Sequence, residues 1–286
     1  MKLATHWVKK DNSFEVQCLL CPHGCVIHEG GQGRCRVRKN VAGKLYLLNY
    51  GQVTAMALDP IEKKPLKRFF PGKQVFSLGT FGCNLACSFC QNWQIAHQKE
   101  VVTHFLAPKE AVAQAQKLLP LGNVGIAYTY SEPLMWFEYV LETAKLAKEA
   151  DLKNILVTNG YLNPKPLKEL LPFIDAVNLD IKAFTQGFYQ KLCQGRLEPV
   201  LHSAKLFAQE CHLEITTLLI PQKNDNLEEI ANLAQWIANL DRKIPLHLTR
   251  YFPNYKLQIS ATTRETMQKV KKVAEKYLDY VYLGNI

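Results

Sequence analysis

Three cysteines, Cys83, Cys87 and Cys90, stand in the run Gly79-Thr80-Phe81-Gly82-Cys83-Asn84-Leu85-Ala86-Cys87-Ser88-Phe89-Cys90. Their spacing is C-x3-C-x2-C, and no fourth cysteine follows nearby. Thiolates are the usual ligands of iron–sulfur clusters, and a cubane [4Fe–4S] cluster takes one ligand per iron. Three thiolates leave one iron open, which is a place for chemistry and not only for storing an electron. The rival readings are free buried thiols or a zinc knuckle, which needs a further donor such as His97 or His104.

A second group lies upstream. Cys18, Cys21, Cys25 and Cys35 are spaced C-x2-C-x3-C-x9-C, with Gly30, Gly31 and Gly33 in the longest interval. A complete four-sulfur set suits a closed structural zinc site and equally an auxiliary iron–sulfur cluster. His23 and His28 could each replace one sulfur. Cys193 and Cys211 stand alone.

Stepping from these residues to the elements that carry them, the chain alternates strand, loop and helix from about residue 74 onward. Strands are expected at 74–78, 124–128, 154–157, 176–180, 213–220, 246–250 and 280–283. Helices are expected at 108–119, 133–150, 164–171, 199–209, 227–240 and 262–276. Strict alternation implies a parallel sheet wrapped by helices, an open sheet or a barrel. Such folds place their sites at the C-terminal ends of the strands, and Cys83 follows the first strand. Residues 1–70 differ: they carry four cysteines and an alternating stretch at 45–58 that reads as a β-hairpin turning near Gly51. The boundary is expected at Pro71-Gly72.

The chain has 286 residues, of which 48% are hydrophobic, enough for one large α/β domain and a small extra lobe. The formal charge is +10, from 35 basic and 25 acidic residues. Scattered lysines read first as a solvated surface, and no stripe of Arg alternating with aromatics argues for nucleic-acid binding. No apolar run approaches membrane-spanning length. The first ten residues lack the apolar core and cleavage site of a signal peptide. Clustered cysteines without an export signal point to metal sites in a reducing cytoplasm.

The run Cys83 to Cys90, with the aromatic Phe89 before its last cysteine, resembles the signature of the radical S-adenosylmethionine (radical SAM) superfamily. Nearly the whole chain is similar to enzymes related to the pyruvate formate-lyase activating enzyme. More narrowly, Cys21-Pro22-His23-Gly24-Cys25, Asp59-Pro60-Ile61-Glu62-Lys63-Lys64-Pro65-Leu66 and Gln91-Asn92-Trp93 resemble the AmmeMemoRadiSam-system radical SAM enzyme. The resemblance implies an α/β fold, a partial (β/α)6 TIM-type barrel over residues 71–286, with a small N-terminal cysteine-rich β lobe over 1–70. It implies a [4Fe–4S] cluster on Cys83, Cys87 and Cys90, and S-adenosylmethionine chelating the open iron. Reductive cleavage would give methionine and a 5′-deoxyadenosyl radical that takes hydrogen from a substrate. A flavodoxin- or ferredoxin-type donor would supply the electron.

The same resemblance assigns cofactor contacts residue by residue. Ser131 and Glu132 of Tyr130-Ser131-Glu132-Pro133 would meet the methionine end, a charge-assisted contact for the carboxylate; Ser131 also reads as a helix N-cap. Thr158 and Asn159 of the T-N-G turn would face the cofactor, although that turn is also an ordinary strand end. Relatives often carry Asp where this chain has Val157, which removes one ligand of a monovalent-cation site. Asp180 and Lys182 match the family's D-x-K motif and, by alternation, share a face; a surface ion pair is the bland reading. Phe89 completes the set; His247, read from its late-strand position alone, would line the ribose or substrate side, or be a hydrogen-bonded core histidine. The substrate stays open between a partner protein, a small molecule and RNA. A glycyl-radical activase and a non-catalytic iron–sulfur carrier or sensor are the alternatives. Relatives of the narrower group often continue into a glycine-rich tail, which here would follow Gly284-Asn285-Ile286.

Overall fold

The computed structural model describes residues 1–10, 14–98 and 100–286. Eight strands form one sheet: β1 (Ala55–Pro60), β2 (Gln74–Gly79), β3 (Asn123–Thr129), β4 (Lys153–Thr158), β5 (Ala176–Asp180), β6 (His212–Leu219), β7 (Leu246–Arg250) and β8 (Val281–Gly284). They lie side by side in chain order. Every pair from β2 to β8 is parallel, and β1 runs antiparallel along β2. The central strands are buried along most of their length, as expected for a parallel sheet covered on its outer face. β1 and β8 are not hydrogen-bonded to each other, so the (β/α) barrel is partial and keeps an open seam.

Six helices follow the strands: α1 (Pro108–Lys117), α2 (Phe137–Glu149), α3 (Pro164–Leu170), α4 (Leu197–Glu210), α5 (Leu227–Asp241) and α6 (Arg264–Ala274). Each buries one stripe, such as Ile230, Leu233, Ala234 and Ile237 of α5. Their starts carry the expected signals. Pro108 and Pro164 occupy first turns, and the side chains of Asn226 and Thr263 accept from Glu228 N and Thr266 N. The helix expected at 133–150 begins as a 3₁₀ turn, Pro133–Trp136, before α2 proper. Its cap is the carboxylate of Glu132, which accepts from Leu134 N at 2.9 Å, and not Ser131.

The hairpin expected at 45–58 does not form. Chain reversal does occur near Gly51, which has φ +72°, but the flanking segments pair elsewhere. Lys44–Leu47 lies between Lys2–Leu3 and Arg38–Val41, Gln52–Val53 pairs with His104–Phe105, and β1 joins the large sheet. Alternation declared strands without declaring their partners. β1 thus lies in the large sheet although it precedes Pro71-Gly72.

The segment between β1 and β2 crosses the N-terminal end of the barrel. Ile61 and Leu66 pack inside it against Val75, Ala127, Ile155 and Ala176. Glu214, fully buried on β6, fastens this floor by accepting from Lys67 N at 3.0 Å and Arg68 N at 2.7 Å. It also meets Nε2 of His212 at 3.0 Å and of His247 at 2.6 Å. Burial would raise its pKa, but these donors prevail and hold it at about 2. A lowered carboxylate pKa stabilises the fold fully above the unfolded value, and this contribution disappears as pH falls through the folded value. We expect about 3 kcal/mol of stability to vanish between pH ~4.3 and ~2. Glu214→Gln should remove that part of the pH dependence, read from urea midpoints at stepped pH; an unchanged profile would refute the assignment.

Candidate functional site

A cavity of about 390 Å³ opens at the C-terminal ends of the strands. Four connections build its rim. The loop after β2 brings Cys83, Cys87, Phe89 and Cys90; the turn after β3 brings Tyr130, Ser131 and Glu132; β4 ends in Thr158 and Asn159; β5 ends in Asp180, followed by Lys182. All of these line the cavity. Of the residues singled out for the cofactor, His247 alone lies outside the lining. It sits two positions before Thr249 on the same face of β7, one layer deeper, where Glu214 engages it and Tyr282 stacks on it at 5.3 Å. His247 thus occupies the place of a hydrogen-bonded core histidine, the second of the two readings its sequence position allowed.

Glu132 organises the rim. It is buried, and it accepts from Leu134 N, from Thr158 Oγ1 at 2.6 Å and from Asn159 N at 2.8 Å. Burial pushes its pKa up to about 7 against the pull of these donors. Asn159 Nδ2 donates in turn to Asn84 Oδ1 at 3.0 Å and to Cys83 Sγ at 3.7 Å. Asn84 Nδ2 reaches Tyr161 O. A chain of side-chain hydrogen bonds therefore runs from the turn after β3, through the T-N-G turn, to the cysteine loop. Gly160, at φ +64°, allows that turn, and its space is closed by Leu179.

The cysteine loop is braced from the other side by a π-helical turn, Tyr189–Cys193. Ala86 N donates to Cys193 O and Ser88 N to Leu192 O, each at 2.9 Å. Phe89 packs on Phe188, with ring centroids 5.6 Å apart. The thiol of Cys193 hydrogen-bonds that of Cys87, which lowers the pKa of Cys87. Burial pushes Cys83 well above the ordinary thiol range, and Cys90 up to about 11. Buried thiols of this kind ionise readily only when a metal takes the place of the proton.

No three of the described His, Cys, Asp or Glu side chains stand close enough together to enclose a single metal ion. Cysteine sulfurs at the corners of a cubane are spread more widely than the donors of one tetrahedral ion. Three thiols on one cavity wall, with Asn159 Nδ2 donating to Cys83 Sγ, are a donor set that fits an iron–sulfur cluster. Neither histidine suggested for a zinc knuckle joins these sulfurs: His97 stacks on Tyr255, and His104 pairs in an exposed strand. Lys182 Nζ meets Asp180 Oδ2 at 2.6 Å, and Lys182 also feels the charge of Cys87. Burial would lower the Lys182 pKa, but these anions raise it. The D-x-K pair is thus a cavity-wall ion pair beside the cysteines.

The Asp59–Leu66 run, a family mark in the sequence, also contributes to the site. Lys64 lines the cavity from the floor, buried, with Nζ 2.8 Å from Asp59 Oδ2 and 4.6 Å above the Tyr130 ring. Tyr130 Oη donates to the same oxygen at 2.8 Å. Tyr130 holds φ +71°, and its ring fills the space a Cβ on Gly79 would need, with Cδ2 only 2.6 Å away. The strand period of two could have placed Asp59 beside the site only if the antiparallel pairing of β1 with β2 had been known.

The Radical SAM superfamily model matches residues 77–237. An uncharacterized protein of Methanocaldococcus jannaschii is 40% identical over 292 aligned residues, covering 100% of this chain and 86% of that protein. The pyruvate formate-lyase-activating enzyme of Clostridium pasteurianum is 27% identical and covers 69% of this chain and 87% of that enzyme. Among solved structures, a radical SAM methyltransferase from Sphaerobacter thermophilus superposes with a TM-score of 0.59 at 14% identity, covering 99% of this chain and 77% of that one. That likeness concerns the fold.

Breaking a buried ion pair from one side is costly because it strands the other charge. Asp59→Asn should lower stability by about 3–5 kcal/mol, and adding Lys64→Met should restore most of it. Guanidinium midpoints of the metal-free protein measure this. Equal losses in the single and double variants would show that Asp59 and Lys64 are not paired.

Proposed function

We propose, from the premise that this chain belongs to the Radical SAM superfamily, that Cys83, Cys87 and Cys90 hold its [4Fe–4S] cluster and that the adjoining cavity takes S-adenosylmethionine. When bound, these groups would supply one-electron reductive cleavage of S-adenosylmethionine, the chemistry by which a hydrogen atom would be taken from substrate. The observation that carries the reading is the three thiols on the wall of one cavity that Glu132 and the Asp180–Lys182 pair also line.

The chain's own residues bind, orient and shield. An ionised carboxylate has about four acceptor positions. Three on Glu132 are taken by Leu134, Thr158 and Asn159, which leaves one for an ammonium such as that of the methionine end. Asn159 holds Cys83 by its sulfur. Lys182 places positive charge near the thiolates, and Asp180 keeps it there. Ser131 is fastened to Thr80 O at 2.7 Å, which fixes the turn carrying Glu132. Phe89 and Leu85 supply apolar wall that keeps water from the reacting bonds.

For the substrate, the AmmeMemoRadiSam resemblance supports modification of a protein, small molecule or RNA by hydrogen abstraction, with a flavodoxin- or ferredoxin-type protein as electron donor. Lys63 and Lys64 of its signature run lie on the cavity wall. A second reading, a glycyl-radical enzyme activase, is favoured by the likeness to the Clostridium pasteurianum enzyme. A carrier with no turnover is disfavoured by the roomy cavity beside the cysteines, with Glu132, Asp180 and Lys182 on its wall.

Anaerobic reconstitution followed by dithionite reduction should release methionine and 5′-deoxyadenosine, and the Cys83→Ala/Cys87→Ala/Cys90→Ala variant should release none. A wild-type protein loaded with iron and sulfide that leaves S-adenosylmethionine intact would sink the reading. Glu132→Gln should weaken S-adenosylmethionine binding about tenfold, the loss expected for one charge-assisted hydrogen bond. Equilibrium dialysis at matched iron content measures it.

A further inference from the structure

The site described above uses only three of the nine cysteines as ligands. The four N-terminal ones gather in one small lobe. Cys18 closes the strand Val16–Cys18, and its amide donates to Cys25 O at 2.9 Å. Gly24 N donates to Cys21 O at 3.1 Å, which bends the chain back between Cys21 and Cys25. Cys35 arrives on a separate turn, where Arg36 N donates to Gly33 O at 2.8 Å. Cys18, Cys21 and Cys35 are buried and Cys25 is half-buried. Cys21 and Cys35 each feel the charges of Cys18 and Cys25, so the sulfurs surround one locus.

Three further observations bear on what fills it. The histidines that could replace a sulfur are engaged elsewhere: His23 Nε2 meets Asn84 O at 2.7 Å, and His28 Nδ1 meets Glu15 Oε1 at 2.6 Å. The donor set is sulfur alone. Among the described residues no three of these thiols stand close enough together to hold a single ion, and the thiolates of a cubane lie farther apart than those around one tetrahedral zinc. Arg38 lies beside Cys18 and Cys35, only 1% exposed. Its Nη2 donates to both carboxylate oxygens of Glu138 at 2.7 Å, its Nη1 donates to Thr5 O, and its Nε finds no acceptor. A buried donor left without a partner is costly. Thiolate or sulfide sulfur would satisfy it.

We propose that Cys18, Cys21, Cys25 and Cys35 hold a second iron–sulfur cluster, with Arg38 as a buried N–H donor and counter-charge to its sulfurs. The centre abuts the first one. A Cβ on Gly82, the residue before Cys83, would lie 2.8 Å from Cys35 O and 2.5 Å from Val37, so the two cysteine-bearing segments are in contact there.

The test uses the Cys83→Ala/Cys87→Ala/Cys90→Ala variant, reconstituted anaerobically with iron and sulfide and assayed for iron, sulfide, zinc and Mössbauer parameters. It should retain about four irons and four sulfides per chain, the content of one cubane. Cys18→Ser/Cys35→Ser should lose that centre and keep the other. Arg38→Lys, which preserves the charge and removes the Nε donor, should lose iron to a chelator about tenfold more readily, the usual penalty for an outer-shell partner. One zinc and no iron in the first variant, or four freely alkylated thiols, would overturn the proposal. The first variant decides the matter even if the serine variant fails to fold. Failure of S-adenosylmethionine cleavage with this iron present would count against the catalytic reading and leave the second centre standing.

Discussion

A buried carboxylate, Glu132, is the tie on which the geometry of the cavity depends. Three backbone segments arrive at the C-terminal rim from different strands, and each carries polar groups that would otherwise face an apolar interior. Glu132 gathers a backbone amide from its own turn, a hydroxyl and an amide from the T-N-G turn, and through Asn159 it reaches the cysteine loop. Such networks rigidify a site when every member is satisfied. The same burial that makes the hydrogen bonds strong also resists ionisation, which is why the carboxyl sits near pH 7. The site thus holds a carboxyl group whose burial opposes its ionisation while three donors favour it.

Two lysine–carboxylate pairs, Asp59–Lys64 and Asp180–Lys182, flank that tie. Burying such pairs rarely adds stability over apolar packing. Their presence on a cavity wall, one rising from the floor segment and one near the cysteines, is better understood as placement of fixed charge. Tyr130 joins the first pair by accepting a left-handed backbone that only the bare Gly79 beside it accommodates. Local strain is accepted there, and a hydrogen bond to Asp59 is the return.

Much of this was legible in the order of residues. Apolar runs at regular spacing gave the parallel strands, and the strand-end polar residues from Glu132 to Lys182 proved to share one cavity. What was illegible was partnership across distance. The 45–58 stretch alternates like a hairpin, yet β1 pairs with β2 and Lys44–Leu47 with two N-terminal strands, choices made by tertiary burial. His247 reads as a strand-end polar residue, but register sets it a layer too deep, against a Glu214 that no local pattern marks. Cys193 looks solitary in sequence, and only the π-helical turn brings it onto Cys87.

The segment that carries Ile61 and Leu66 stoppers the barrel from below. The cavity is therefore a blind well that opens at the C-terminal ends of the strands. Traffic in a blind well is ordered: the molecule seated deepest enters first and departs last. A macromolecule could enter such a well only by a protruding loop or terminus, while a flat surface would rest on the rim.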